Sequence, residues 1–245
     1  DMSNVQKTAQ TIYTAMILGS IPISIIGILL SKPILLLINT PPDALPMATT
    51  YMRIIFLGMG CSFGYNVNAG ILQGFGDSKS SLLFLTIATV INIVLDLTFV
   101  LVFHWGVAGV AIATIIAQAF SWIFGIFYMK RKYEVLNFPI FKFKFDKEIF
   151  KKIVKIGLPT GIQQTLFSIG IMSMQSLVNS YGSDFIAGFN AANKIDTFAF
   201  MPVQSFSNAI TTFTGQNIGA KRMDRVHQGM KSGMIMSIIV CIVCL

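Results

Sequence analysis

One carboxylate stands in the middle of a long apolar run: Asp96, in INIVLDLTFV, four residues after Asn92. Side chains four apart on a helix stack on one face, so this acid and this amide would present their oxygens together. Thr114, in the next apolar run, can bring a hydroxyl to the same place. Carboxylate, amide and hydroxyl oxygens suit a proton or a hard monovalent cation. A charged side chain near the centre of a bilayer helix costs roughly 2.5–3.5 kcal/mol on insertion scales, and its default role is in an ion or substrate pathway.

The elements that must position these groups are membrane spans. A span needs about 20 apolar residues to cross a hydrocarbon core of about 30 Å. Seven stretches meet or approach this: 11–30, 51–72, 82–103, 106–128, 153–180, 185–215 and 229–245. Hydrophobic residues make up 54% of the 245 and charged residues 11%, with a mean hydropathy of +0.71. Soluble domains carry about 25% charge, so the composition predicts an all-α, polytopic transmembrane helical bundle.

The net charge of +8 would fit nucleic acid or an acidic partner, but its placement argues for topology instead. Basic residues gather at the start and in alternate loops, including Lys79, Lys130, Arg131, Lys132, Lys151, Lys152, Lys221 and Arg222. Lys32 and Arg53 are expected in loops of the other set, and Lys194 in a span. By the positive-inside rule the segments 1–10, 73–80, 130–152 and 216–228 face the cytoplasm of a multi-pass inner-membrane protein. No nucleic-acid binding is expected. Cys61, Cys241 and Cys244 lie in apolar runs and read as packing residues, since nothing around the CxxC pair supplies further metal ligands.

Several segments have alternative readings. Pro22 and Gly27 are expected to interrupt the first span, and Pro41, Pro42 and Pro46 to end regular structure after it. GMGCSFGYNVNAG places Gly60, Gly64 and Gly70 beside Asn66 and Asn68. This is either a close helix-packing seam or a polar cavity wall. QGFGDSKS lacks the strand and the GKS of a phosphate loop, leaving a turn. His104 and Trp105 read as interfacial. Residues 130–152 form a basic linker in which Phe141, Phe143 and Phe145 alternate with lysines. Its second half is expected to lie as an amphipathic helix on the membrane surface. Beyond it, Gln163 and Gln164, then Asn190, Asn193, Gln204 and Asn208, make two spans polar enough to face a substrate.

The segment 223–228 echoes 2–7, aligning Met and Val before an apolar helix. Such an echo fits a transporter of two parallel six-helix halves, with this chain expected to be the middle of a protein about twice the repeat length. QGFGDSKS followed by INIVLDLTFV and GVAGVAIATIIAQ, then KIGLPTGIQQTLFSIG and FMPVQSFSNAITTFTGQNIGA, resembles the multidrug and toxic compound extrusion (MATE) antiporters over nearly the whole chain. The resemblance implies that 1–129 hold family helices three to six, that 130–152 link the lobes, and that 153–245 hold helices seven to nine.

It also implies function. In DinF-like members an N-lobe cation site joins an Asp on the first helix to an Asn, an Asp and a Thr, and Asn92, Asp96 and Thr114 match the last three; the first-helix Asp would precede residue 1. The NorM-like branch carries a seventh-helix Glu for a C-lobe sodium site. Here that region reads QQTLFS, which speaks for N-lobe coupling. The resemblance thus implies a monomeric, non-enzymatic antiporter without cofactor, exporting organic, often cationic amphiphiles in exchange for H+ or Na+, the only metal being Na+ at Asp96, Asn92 and Thr114. The alternative is a flippase for a lipid-linked or polysaccharide precursor of the same superfamily, which would want a cationic cluster where Lys194 stands alone. A membrane-embedded enzyme would need acid and histidine clusters, and His104 and His227 are far apart.

Overall fold

A computed structural model describes residues 2–37, 40, 42–137, 143–179, 181 and 183–244. Among them there are helices and turns but no strands. The chain divides into two compact units, 1–153 and 154–245.

The first unit begins with α1 (Met2–Leu37), which runs unbroken through Pro22 and Pro33. The interruption expected at Pro22 and Gly27 therefore does not occur, and the helix passes Leu30, so Lys32 is helical. Ser31 donates back to the Gly27 carbonyl, and Gly27 gives the room that the Phe56 ring occupies. Pro46 starts the next helix instead of ending structure, as proline can in a first turn; Pro41 lies outside the described residues.

The second expected span is two helices, α2 (Leu45–Leu57) and α3 (Met59–Gly74), bent by 52°. The bend falls at Gly58, where a Cβ would run into the Ile115 side chain. Arg53 thus sits in α2. Gly76 (φ 79°) turns the chain after α3, and Asp77 caps α4 (Ser78–Leu97) by accepting from Ser80 N at 3.3 Å. Helix α4 ends in a π-helical turn, Thr98–Val102. His104 and Gly106, both at positive φ, reverse the chain into α5 (Gly106–Lys132).

Helices α1, α4 with its π turn, α5, and the bent α2–α3 pair are each long and apolar enough to cross a membrane. Their lipid-type exteriors carry many exposed Leu, Ile, Val and Phe side chains. Inside, small residues let backbones close up: Gly64 faces the Trp122 indole and Gly125 faces the Asn68 amide. A core of Ala9, Tyr13, Met16, Leu72, Phe84, Met129 and Leu136 joins α1, α3, α4, α5 and the short turn Glu134–Leu136.

Helix α6 (Lys147–Asn179) starts in the first unit and continues without a break into the second. The basic stretch at Lys151 and Lys152 is therefore the opening of a long helix and not a separate one. Phe141 and Lys142 lie outside the described residues. The second unit also holds α7 (Ser183–Gly219) and α8 (Met223–Cys244). These two pack where Gly229 and Gly233 receive Phe213 and Ile210.

Candidate functional site

In the first unit α4 and α5 lie side by side, and their facing stripes carry the predicted groups. Asn92 Nδ2 donates to Thr114 Oγ1 at 3.4 Å. The Thr114 hydroxyl spends its own proton on the Val110 carbonyl at 3.0 Å. Each side chain thus gives a donor to a protein partner, leaving the Asn92 amide oxygen and one Thr114 lone pair as acceptors. Asp96 lies one turn beyond Asn92, just before the π turn. Its Oδ1 is buried and has no hydrogen-bond partner among the described residues. A bare buried carboxylate oxygen is costly, and a proton or a cation at that oxygen removes the cost.

Asn92 and Thr114 also line an open cleft of about 130 Å³, together with Tyr65, Thr89, Ala117 and Gln118. Ser62 donates to Gln118 Oε1 and so fixes the end of that side chain against α3. Sequence reading did not assign Tyr65 or Thr89 to the site. Tyr65 belongs to a third helix, and no short spacing connects it to Asn92.

The two amides of α3 resolve differently. Asn68 is 2% exposed, accepts from Tyr13 Oη at 2.5 Å and donates to the Trp122 carbonyl at 2.7 Å. It is a packing amide that bonds α3 to both α1 and α5. Asn66 is exposed and returns its amide to the Ser62 carbonyl at 2.7 Å.

A second carboxylate cluster sits at the opposite end of α4 and was missed by sequence reading. Asp77 Oδ2 accepts from Lys132 Nζ at 2.7 Å, Tyr133 Oη at 3.1 Å and Tyr128 Oη at 3.3 Å. Lys132 also donates to Tyr128 Oη at 2.8 Å and lies over both tyrosine rings. Burial works to raise the Asp77 pKa, but the donors Lys132, Ser80 and Tyr133 outweigh it and hold the carboxyl well below the usual range. Burial, helped by the neighbouring Asp77 carboxylate, pushes the Tyr133 phenol up. This cluster ties the ends of α4 and α5 together.

In the second unit Asn190, Asn193, Gln204 and Asn208 are all exposed. At 100° per residue they fall on one side of α7, opposite Ile210 and Phe213, which face α8. Gln163 and Gln164 are exposed on α6. Among the described residues α6 makes no packing contact with α7, so the two amide sets are not brought together.

A family model described as MatE matches residues 1–98 and 159–245. The chain is 37% identical over 201 residues to the "Probable multidrug resistance protein YpnP" of Bacillus subtilis, covering 82% of this chain and 44% of that protein. It is 30% identical over 237 residues to the "Probable multidrug resistance protein YoeA" of the same organism, covering 94% and 51%. The chain thus spans about half the length of the curated relatives it matches. An outward-facing structure of a multidrug resistance MATE family transporter of the MOP superfamily superposes with a TM-score of 0.82, covering 98% of this chain and 58% of that one. At 21% identity this likeness establishes the fold alone.

Proposed function

Because the chain belongs to the MatE family, we propose that it forms the central part of a secondary antiporter that exports organic, often cationic compounds in exchange for H+ or Na+. The observation that carries this reading is the unpartnered Asp96 Oδ1, one helical turn from an Asn92 amide that meets Thr114 across α4 and α5. Protonation or cation binding at Asp96, with the Asn92 and Thr114 oxygens as further ligands, biases one of two conformations, and a ligand shifts such an equilibrium only by its differential affinity. One pH unit supplies about 1.4 kcal/mol per proton, and about 100 mV supplies about 2.3 kcal/mol per charge. Either gradient concentrates a drug modestly.

The exposed amides on one face of α7, with Gln163 and Gln164 on α6, are our candidates for the substrate surface. Small organic amphiphiles need few polar anchors and much apolar wall, and these helices supply both. Residues 1–129 then form the N-lobe helices, 130–152 the linker and 153–245 the C-lobe helices. The basic segments 1–10, 73–80, 130–152 and 216–228 face the cytoplasm, following the positive-inside distribution.

The test is ethidium efflux by cells expressing the full-length gene, native against Asp96→Asn, under an imposed proton or sodium gradient. The proposal expects efflux from native cells under one of the two gradients, which names the ion, and at least a tenfold loss in the variant, the scale of about 1.4 kcal/mol of coupling. Equal efflux from both would remove Asp96 from the coupling site.

A further inference from the structure

A second cavity, of about 450 Å³, lies at the start of α1 and plays no part in the site above. Its walls are the first turns of α1, with Ser3, Gln6, Lys7 and Gln10, and the segment 144–146. That segment is fixed in place: Thr14 Oγ1 donates to the Lys144 carbonyl at 3.1 Å, and Thr11 Oγ1 accepts from Asp146 N at 3.2 Å.

The cavity is built for an anion. Lys7 and Lys144 are both among the residues that line it. The carboxylate beside them, Asp146, turns Oδ1 to the opening of α6, accepting from Glu148 N and Ile149 N at 3.0 Å each. Its charge is thereby spread onto a helix N-terminus. Gln10 lines the cavity, is only 8% exposed, and has no hydrogen-bond partner among the described residues. An amide on the cavity wall that protein groups leave uncommitted can give its N–H groups to a phosphate oxygen.

The surroundings identify the source of that phosphate. Phe143 and Phe145, flanking Lys144, are 56% and 51% exposed, and the Phe145 ring lies 4.9 Å from that of Phe150. Helix α1 is long and apolar enough to span, so its first turns stand at a membrane boundary. Exposed aromatic rings beside ammonium groups at such a boundary match the headgroup layer. We propose that this cavity binds the phosphate headgroup of an anionic phospholipid, with Lys7, Lys144 and Gln10 holding the phosphate oxygens and Phe143 and Phe145 lying along the lipid. Basic pockets at the cytoplasmic ends of membrane helices recognise such headgroups.

The test uses the purified full-length protein in nonionic detergent, with phosphatidylglycerol or phosphatidylcholine added and retained lipid counted by native mass spectrometry. The native protein retains phosphatidylglycerol over phosphatidylcholine by roughly tenfold, on the scale of the attraction between juxtamembrane lysines and anionic lipid. Lys7→Gln with Lys144→Gln removes the preference, whereas Lys151→Gln with Lys152→Gln, which removes the same charge outside the cavity, keeps it. Gln10→Met, which leaves both lysines in place, weakens retention severalfold and decides the matter if the first double variant unfolds. Three results overturn the proposal: no preference in the native protein, equal loss in both double variants, or displacement of the lipid by millimolar inorganic phosphate, which would make the cavity a free-anion site.

Discussion

Helix α4 has a carboxylate near each end, and the two are treated in opposite ways. Asp77 receives a lysine, two tyrosines and a backbone N–H. Asp96 keeps one buried oxygen with no partner among the described residues. The first arrangement spends one oxygen on capping α4 and the other on holding α4 to the end of α5. The second leaves an acceptor open, which only a mobile partner such as a proton or cation can satisfy without a permanent bond. The same chemical group is a fastener where the fold supplies donors and, in the function proposed above, the coupling group where it withholds them.

This contrast can be broken or sharpened by substitution. Asp96→Asn has the largest expected effect, at least a tenfold loss of gradient-driven efflux, with thermal stability unchanged or raised because an unpaired buried charge is removed. Next comes Asn68→Ala, which removes the amide that bonds the Tyr13 hydroxyl and the Trp122 carbonyl between α1, α3 and α5. The two lost hydrogen bonds cost roughly 0.5–1.5 kcal/mol each, so the unfolding temperature in detergent drops by several degrees. Asp77→Asn removes the charge from its cluster and lowers the unfolding temperature by about 2–4 °C.

The Asp77 effect has a defined pH window. Its folded pKa lies below the unfolded value of about 3.9, so its contribution is complete above that value and is lost as pH falls toward the folded one. Melting curves of native protein and Asp77→Asn differ equally at pH 7 and pH 5 and converge in stronger acid. The smallest effect is expected for Asn66→Ala, an exposed side chain bonded to its own helix: stability within about 0.5 kcal/mol of native. A large loss there would show that exposure is a poor guide to which amide of α3 matters.

The parts legible in the sequence are those written in short spacings. The spans of the first unit were visible as apolar runs, and Asn92 with Asp96 as an i, i+4 pair whose partner Thr114 lies one short turn away. The Asp77 cluster was not, because Lys132, Tyr133 and Tyr128 stand 55, 56 and 51 residues from it. Asn68 was open to a packing or a cavity reading until Tyr13, 55 residues away, was placed on it. Gly58 reads as one more glycine in a small-residue stretch; its close approach to the Ile115 side chain shows only in the fold. The continuity of α1 was not legible for a related reason, since Pro22 breaks helices in water, whereas neighbouring helices can re-satisfy the freed carbonyl in lipid.

The most direct test measures efflux and unfolding temperature side by side for Asp96→Asn and Asp77→Asn in the full-length protein. The account predicts a crossed result: Asp96→Asn abolishes efflux and keeps the unfolding temperature, while Asp77→Asn lowers the unfolding temperature and keeps efflux at a temperature where it stays folded. If both variants lose stability together and efflux falls only in proportion, Asp96 is a structural group like Asp77 and the coupling site lies elsewhere.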